Sequence, residues 1–267
     1  MLIDYHLHSQ FSCDSRTNME QICQAALNAG LTEIAFTDHM DLTYPHQYEN
    51  HYIHDLDHYF ATIAQYQQRY SGQLRIRVGL EIGLERHRLK QYEKIINGYP
   101  FDFIIGSVHE INGVAVSQKA FFQGKSKLQV YQQYYSAILD CIQQFDHFDV
   151  IGHLDYCKRY NPAPYQAGDH LLCLDLVTQL LQELIGRGKG LEVNTSGFRH
   201  SSAMCLPHFD ILRHYRQLGG TIITTGSDSH RAEYVGYQMA ETTAVLKQLG
   251  FQTISTFGLR HEHPVAL

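Results

Sequence analysis

The feature that most constrains the fold is an alternation of short apolar runs with helical patterns, repeated seven times along the chain. Strands that alternate with helices in this way pair in parallel, because each helix returns the chain to the same end of the sheet. Seven such units in 267 residues predict an α/β fold whose sheet closes, or nearly closes, into a barrel. An open doubly wound sheet is the structural alternative. The predicted strands are Leu2–Tyr5, Glu33–Thr37, Arg75–Glu81, Asp102–Ser107, Asp149–Gly152, Gly190–Asn194 and Thr221–Thr225.

The helical patterns fill the intervals between the strands. The first begins at Thr17, where Thr17 and Glu20 have the spacing of a capping box, and ends at Gly30. No break in composition separates the units, so residues 1–267 are expected to form one barrel domain. The other predicted helices are Leu56–Tyr70, Arg86–Asn97, Lys127–Phe145, His170–Gly186, His208–Leu218 and Ala232–Leu249.

Composition excludes several classes of protein. Apolar residues make up 44% of the chain, which is enough for a packed core, so intrinsic disorder is not expected. The formal net charge of −6 argues against a nucleic-acid-binding protein, and no apolar stretch is long enough to span a membrane. The first residues show no secretory signal and the six cysteines form no paired motif, so a cytoplasmic location is expected.

Histidine is unusually abundant, with 18 in 267 residues, and the positions of these histidines indicate a function. In a parallel barrel, functional groups collect at the C-terminal ends of the strands. Six histidines and several carboxylates are therefore expected to converge on one mouth of the barrel. The residues at the strand ends, in chain order, are His6, His8 and Asp14; Asp38 and His39; Glu81; His109; His153 and Asp155; Asn194; and Asp228 and His230.

The types and spacing of these residues indicate a metal centre. His6 and His8 are two residues apart, so on a strand both imidazoles point to the same face and can reach one ion. Nitrogen and carboxylate ligands without thiolates suit catalytic sites for zinc, manganese, iron or cobalt. The six histidines together with Asp14, Glu81 and Asp228 give nine candidate ligands. Nine ligands are too many for one ion, whereas three ions, or a binuclear pair plus a third ion, fit this number. Such a centre would be positively charged and would attract a phosphate dianion.

Seven segments of the chain carry a resemblance to a known family. They are DYHLHSQFSCD, FTDHMD, GLEIG, IIGSVH, IGHLDYCKRY, LEVNTSGFRHS and TTGSDSH, and they extend from residue 4 to residue 230. In this combination the chain resembles the polymerase and histidinol phosphatase (PHP) superfamily, and within it the stand-alone histidinol-phosphate phosphatases of histidine biosynthesis. The resemblance implies a distorted (β/α)7 TIM-like barrel that holds three divalent metal ions, with zinc, manganese and iron as the candidates.

The resemblance also implies how the metal ligands are shared among three positions. Many relatives have a histidine where this chain has Asp14, but a carboxylate is also a common metal ligand. Glu81 would bridge the first and second positions. The ligands are His6, His8, Glu81 and Asp228 at the first position; Glu81, His109 and His153 at the second; and Asp14, His39 and His230 at the third.

The activity implied by the resemblance is hydrolysis of a phosphate monoester, L-histidinol phosphate, to L-histidinol and phosphate. A metal-bridging hydroxide would attack phosphorus in line, so no phosphoenzyme is needed. Arg159 and Arg199 are expected to bind the phosphate through their guanidinium groups, and His200 is a candidate acid for the leaving group. The expected partner is thus a small-molecule substrate, with no nucleic acid and no membrane, and the oligomeric state is not predicted.

Three further acids lie near the strand ends. Asp38 is expected to orient His39, unless the backbone does so. Asp41 and Asp155 are expected near the mouth, where they could meet the ammonium or imidazole group of histidinol phosphate. This hypothesis predicts a higher KM for that substrate when either residue is changed to asparagine.

Other functions remain open at this point. The same metal centre could act on another phosphate ester, such as protein phosphotyrosine or the 3′ end of DNA, although the acidic charge disfavours DNA. Arginines beside the ions argue against a metal store or sensor, because such a protein does not need to bind phosphate. A metal-dependent amidohydrolase also begins with H-x-H, but it usually needs a carboxylated lysine, and no lysine lies at a predicted strand end before Lys158.

Overall fold

The computed structural model describes residues 1–42, 52–163, 166, 168–200 and 203–267. Among these residues, no helix is long and apolar enough to cross a membrane. The strands are β1 (Ile3–Leu7), β2 (Glu33–Phe36), β3 (His39–Met40), β4 (Arg75–Gly83), β5 (Phe103–Ser107), β6 (Glu110–Ile111), β7 (Val114–Ala115), β8 (Val150–Ile151), β9 (Gly190–Asn194), β10 (Ile223–Gly226), β11 (Thr253–Gly258) and β12 (His261–Ala266). The helices are α1 (Met19–Asn28), α2 (Leu56–Arg69), α3 (Leu89–Asn97), α4 (Lys119–Phe122), α5 (Lys127–Ile142), α6 (Cys157–Tyr160), α7 (Leu174–Gly186), α8 (Phe209–Gln217) and α9 (Met239–Gln248).

Seven of the strands form a parallel sheet that curls into a nearly closed barrel. Their order is β1, β2, β4, β5, β8, β9 and β10, which is the order of the chain, and β3 pairs briefly beside β4. The two ends of the sheet meet after β10, where the backbone amide of His8 donates to the carbonyl of Ser229 at 3.0 Å. The predicted (β/α)7 barrel is therefore confirmed, because an open doubly wound sheet would reverse its strand order.

The strands form because their side chains are buried on both faces of the sheet. Every residue of β1, β2, β5 and β9 is buried, as expected for a parallel sheet with helices outside and packed side chains inside. The helices bury one face each, and in α5 that face carries Tyr131, Tyr134, Tyr135 and Ile138. The polar side chains at the strand ends are thus held by a rigid framework.

The first helix begins one residue later than the sequence predicts. Asn18 caps α1: its side chain accepts the amide of Gln21, and the Gln21 side chain accepts the amide of Asn18. The predicted capping box of Thr17 with Glu20 is therefore wrong. The hydroxyl of Thr17 instead donates to the carbonyl of His230 at 3.0 Å, which ties the loop after β1 to the segment after β10.

The last predicted helix is divided into two pieces. A 3₁₀ turn covers Ala232–Tyr234, and α9 begins only at Met239. Positive φ angles of 72° at Gly236 and 57° at Gln238 interrupt the helical path between the two pieces. The pattern of apolar residues continues through this break, so the sequence does not reveal it.

A C-terminal hairpin, which the sequence analysis did not predict, fills the N-terminal end of the barrel. β11 and β12 pair antiparallel, and Ile254 and Phe257 of β11 pack against inward-facing residues of the parallel strands. The turn residues Leu259 and Arg260 are held by Asp102, whose carboxylate and carbonyl accept their two amides, each at 3.0 Å. The opposite end, where the parallel strands terminate, carries the polar residues.

Candidate metal centre

The nine predicted metal ligands come together at the C-terminal end of the barrel. Asp14, with 44% of its side chain exposed, lies at the solvent edge, and the others are buried or half-buried. The arrangement is one continuous cluster, because neighbouring groups share members. Groups compact enough to hold one ion are His6, His8 and Glu81; Glu81, His109 and His153; His8, His39 and His230; and His39, Asp41 and His109.

Glu81 lies in the middle of this cluster, near the end of β4, and its two carboxylate oxygens face different histidines. Oε2 is 3.2 Å from Nε2 of His6 and 3.5 Å from Nε2 of His8. Oε1 is 2.9 Å from Nε2 of His153 and 3.3 Å from Nε2 of His109. A carboxylate placed in this way can serve two ions at once, as a bridging ligand must.

Asp228 completes the group around His6 and His8. Its Oδ1 lies 3.5 Å from Nε2 of His8 and 3.9 Å from Nε2 of His6. The backbone φ is 53° at Asp228 and 23° at His153, values that residues other than glycine rarely adopt. Strain of this kind persists only where the surrounding structure imposes it, and it is typical of functional sites.

A third group lies nearer the solvent. Oδ2 of Asp14 is 3.2 Å from Nε2 of His230 and 3.6 Å from Nε2 of His39. The ring of His8 also approaches this group, because it stacks on the ring of His230 with 4.0 Å between centroids. His8 therefore stands between the first and third positions, which the sequence analysis did not anticipate.

Three of the inner histidines have their second ring nitrogen next to a polar partner. Such a partner fixes the tautomer and the orientation of the ring, so that Nε2 faces the centre of the cluster. The pairs are Nδ1 of His6 with Oε1 of Glu192 at 2.6 Å, Nδ1 of His109 with Oδ1 of Asp41 at 2.8 Å, and Nδ1 of His8 with Oγ of Ser12 at 3.0 Å.

Asp38 acts on the cluster through Ser12. Its Oδ1 accepts the Ser12 hydroxyl at 2.7 Å, and the Ser12 oxygen in turn accepts the backbone amide of His39 at 3.1 Å. Asp38 thus supports the ring of His8 and the backbone of His39, whereas Nδ1 of His39 lies 3.2 Å from Oδ2 of Asp41. The ring of His39 thus faces the carboxylates of Asp41 and Glu81 rather than that of Asp38.

Asp41 and Asp155 are both buried and engaged by protein groups, which argues against their direct contact with the substrate. Asp41 is buried between His39 and His109. Asp155 is completely buried, and its Oδ2 accepts a hydrogen bond from Nζ of Lys158 at 2.7 Å. Their positions after the strand ends suggested a role at the mouth, but both side chains turn inward to protein partners.

Several buried atoms in the cluster have no hydrogen-bond partner of adequate geometry among the described residues. They include Nε2 of His6, Nε2 of His8 and Oε2 of Glu81. Buried polar groups without partners cost free energy unless an ion or a water molecule satisfies them. Imidazole nitrogens and carboxylate oxygens in this arrangement fit divalent metal ions, whose positive charge would also balance the carboxylates.

The charges in the cluster shift its pKa values in opposite directions. Although burial disfavours the charged form, Asp41 and Glu81 raise the pKa of His109 to about 10. Burial also opposes the charge of His6, but Glu192 and Glu81 raise the pKa of its imidazole well above the usual value. Against the opposing effect of burial, His6 and His109 hold the pKa of Glu81 well below its usual range. Protons therefore occupy His6 and His109 in the metal-free cluster, and a metal ion must displace them.

Arg159 and Arg199 both lie next to Asp228. Nη2 of Arg159 donates to Oδ2 of Asp228 at 3.2 Å and to the hydroxyl of Ser196. Arg199 donates from Nη1 to the carbonyl of Ser227 at 2.8 Å and from Nη2 to the carbonyl of Asp228 at 3.0 Å. Arg159 thus lies at the edge of the cluster and contacts the carboxylate of Asp228, whereas Arg199 stabilises the backbone that follows β10.

His200 lies exposed beside these two arginines. Partial burial of the ring and the positive charges of Arg159 and Arg199 lower the pKa of His200 to about 4. The imidazole is therefore neutral at neutral pH in this environment, and a neutral imidazole is too weak an acid to protonate a leaving group. The predicted acid role requires a bound phosphate, whose negative charge would offset that of the arginines.

Glu192 and Ser12 are residues of the site that the sequence analysis missed. Glu192 is two residues before Asn194 on β9, so both side chains point to the same face of the sheet. A carboxylate inside the otherwise apolar run GLEV was a signal that it faces the polar cluster. Ser12 lies in a loop, where no periodicity indicates a partner.

Comparison with known proteins places the chain in a family. Residues 4–196 match the PHP domain family. The chain is 32% identical over 256 residues to the histidinol-phosphatase of Lactococcus lactis, with 96% of this chain and 94% of the relative covered. It is 31% identical over 238 residues to a probable histidinol-phosphatase of Clostridium acetobutylicum, with 88% and 89% covered.

Solved structures agree with these matches. The crystal structure of histidinol phosphate phosphatase from Lactococcus lactis, complexed with zinc, L-histidinol and phosphate, has a TM-score of 0.90 at 32% identity and covers 98% of both chains. The putative histidinol phosphatase of Listeria monocytogenes has a TM-score of 0.80 over 90% of this chain and 99% of that chain, and at 18% identity it supports the fold alone. The chain belongs to the PHP domain family, as its seven matching segments indicated.

Proposed function

We propose that the chain is a metal-dependent phosphatase that hydrolyses L-histidinol phosphate to L-histidinol and phosphate. The observation that carries this proposal is the position of Glu81 between two groups of histidines, with Arg159 at the edge of the same cluster. A relative that is 32% identical over 98% of this chain binds zinc, L-histidinol and phosphate. The substrate is thus a small phosphate monoester.

The proposed metal centre holds three divalent ions at the positions given above. Glu81 joins the first position to the second, and His8 lies close enough to take part in the third as well as the first. Zinc is the favoured metal, because the relative binds it, and manganese and iron use the same types of ligand. The metal ions, when bound, polarise the phosphate oxygens and supply hydroxide at neutral pH.

The two arginines have different roles: Arg159 orients the phosphate, and Arg199 holds the backbone of Asp228 in place. Arg159 presents N–H groups beside Asp228, where they stabilise the negative charge that gathers on the phosphate oxygens in the transition state. Arg199 holds the carbonyls of Ser227 and Asp228, so that Asp228 keeps its left-handed backbone conformation. We assign the proton transfer to the leaving alkoxide to His200, whose pKa rises from about 4 when a phosphate lies beside the two arginines.

The test is turnover by the purified protein with three substrates: L-histidinol phosphate, a phosphotyrosine peptide and an aryl phosphate. Metal content is measured on the same sample. The expected result is the highest kcat/KM for L-histidinol phosphate and activity that depends on bound metal. A large preference for the peptide or the aryl phosphate would contradict the proposed substrate. Activity without bound metal would contradict the proposed metal centre.

We also propose that residues 1–267 act as one domain in the cytoplasm. The C-terminal hairpin packs into the barrel through Ile254 and Phe257, so it is expected to unfold together with the barrel. All six cysteines are free thiols and five of them are buried, which suits a reducing compartment. Limited proteolysis tests the first proposal, and cell fractionation tests the second.

A further inference from the structure

Glu192 is a buried carboxylate that the proposed chemistry leaves without a role. It lies in the middle of β9, is only 1% exposed and belongs to none of the ligand groups that the described residues form. An ionised carboxylate in such a place is costly unless specific partners hold it. Its two oxygens have such partners, and these partners belong to two different metal positions.

The first oxygen fixes the ring of His6. Oε1 of Glu192 lies 2.6 Å from Nδ1 of His6. An ionised carboxylate only accepts hydrogen bonds, so Nδ1 keeps its hydrogen, and Nε2 is the nitrogen that offers a lone pair once a metal ion displaces its proton. Nε2 lies 3.2 Å from Oε2 of Glu81, on the side of the first metal position. Glu192 therefore selects the tautomer that a ligand at this position needs.

The second oxygen fixes the backbone of His153. Oε2 of Glu192 accepts the amide of His153 at 2.8 Å and the side-chain amide of Asn194 at 3.1 Å. The φ of 23° at His153 is strained, and this hydrogen bond holds it in place. In that conformation Nε2 of His153 lies 2.9 Å from Oε1 of Glu81, on the side of the second metal position.

A glycine of one matching segment leaves room for this carboxylate. A Cβ atom on Gly226, in TTGSDSH, would collide with Oε1 of Glu192 and with the Cβ atom of His6. The absence of a side chain at Gly226 therefore lets the carboxylate of Glu192 lie beside the ring of His6.

We propose that Glu192 is a positioning residue that couples the first and second metal positions through His6 and His153. The inference rests on the proposed metal centre. Loss of the carboxylate is expected to weaken metal binding at both positions. The third position is expected to keep its affinity, because Glu192 holds His6 and His153, and neither of these histidines is a proposed ligand of the third position.

The test compares zinc binding by the wild type, E192Q and the control E33Q. Glutamine keeps the shape of Glu192 and retains one acceptor oxygen, but it cannot accept from both His6 and His153 through two oxygens. Glu33 is equally buried in β2 and is held by Tyr5 and Arg77, away from the metal positions. Zinc affinities are measured on metal-free protein by competition with a chromophoric chelator, and folding is checked by circular dichroism.

Two of three zinc equivalents are expected to bind about 10- to 100-fold more weakly in E192Q, and all three are expected to bind normally in E33Q. Unchanged affinity in E192Q overturns the inference, and so does weakening of one equivalent only. If the wild type binds no zinc, the proposed centre fails and the inference fails with it.

A measurement on the wild-type protein tests the role of Glu192 without requiring that E192Q fold. Nitrogen-15 histidine NMR of the zinc-loaded protein is expected to show His6 with a slowly exchanging hydrogen on Nδ1 and the metal on Nε2. A hydrogen on Nε2, or a metal on Nδ1, overturns the proposed role of Glu192 whatever the stability of E192Q.

Discussion

The two ends of the barrel use the same type of residue, a buried carboxylate, in opposite ways. At the N-terminal end, Glu33 accepts hydrogen bonds from the Tyr5 hydroxyl and from Nε of Arg77, both at 2.6 Å. Asp149 similarly accepts the guanidinium of Arg260 at 2.5 Å, together with a backbone amide at 2.8 Å. These carboxylates are satisfied by protein donors, and they hold strands and the hairpin together.

At the C-terminal end, the described residues supply a protein donor to only one oxygen of Glu81. Oε1 accepts the Ser107 hydroxyl at 2.7 Å, whereas Oε2 faces the nitrogens of His6, His8 and His39 without a hydrogen bond. Glu33 and Asp149, which protein donors satisfy, hold the fold together, whereas Glu81 is aimed at other unsatisfied ligands, as expected of a metal ligand. The two ends of the barrel therefore differ in how their buried carboxylates are satisfied, although both ends contain buried carboxylates.

The largest effect is expected from E81Q at the C-terminal end. A glutamine amide cannot bridge two cations with two anionic oxygens, so the first and second positions both lose their shared ligand. We expect kcat/KM for L-histidinol phosphate to fall by about 1000-fold or more, corresponding to several kcal/mol of transition-state stabilisation. Steady-state kinetics and metal analysis check this. E81Q protein with full metal content and near-normal turnover would remove Glu81 from the centre.

A smaller loss is expected from R159A, because the metal ions share the phosphate with the arginine. We expect kcat/KM to fall by about 100-fold, with partial recovery in R159K, which keeps the charge but not the planar fork. The matched control is R187A, since Arg187 pairs with Glu183 and Asp146 on the outside of the barrel. Equal losses in R159A and R187A would show that the effect comes from general destabilisation.

The pH dependence of metal binding gives a third comparison, because protons and metal ions compete at the C-terminal end. Asp41 and Glu81 outweigh burial and raise the pKa of His109 to about 10 in the metal-free cluster. Metal affinity is expected to rise about tenfold per pH unit for each proton displaced, up to that pKa. Chelator competition at several pH values between 6 and 9 measures this slope. A flat profile would mean that the histidines are not protonated without metal.

The stability of the metal-free protein is expected to change in the opposite sense. The pKa of His109 is higher in the folded state than the ordinary value of 6.5. Its stabilising contribution is therefore complete below about pH 6.5 and is lost as the pH rises through about 10. The Tm of the metal-free protein should fall between pH 7 and pH 10, and a rising Tm over that range would contradict this assignment.

Residues near the strand ends were predictable because their positions depend on local spacing and on the topology of the barrel. His6 and His8 share a face through a two-residue interval, and the parallel strands deliver Glu81 and His109 to the same end. The partner of His6 was harder to predict. Glu192 reaches it from β9 across β10, which depends on the register of three strands rather than on spacing.

The C-terminal hairpin escaped prediction because its turn carries no recognisable signal. Two-residue hairpin turns usually contain glycine or asparagine, since both central residues need positive φ. Here Leu259 and Arg260 adopt φ angles of 48° and 66°. Asp102, which is distant in sequence, holds both of their amides, so a tertiary contact replaces the local preference. Such contacts cannot be derived from the residues of the turn.

The smallest effect on activity is expected from E33Q at the N-terminal end. The substitution weakens the hydrogen bonds from Tyr5 and Arg77, so the free energy of unfolding should fall by about 1–3 kcal/mol. Metal content and the kcat of the folded protein should stay unchanged, because these partners lie away from the metal positions. Urea denaturation and kinetics well below the unfolding transition separate the two effects. A loss of about 1–3 kcal/mol of stability alone leaves most molecules folded. Loss of metal from E33Q, or a fall of more than about tenfold in its kcat, would therefore show that the carboxylates of the N-terminal end also serve the site.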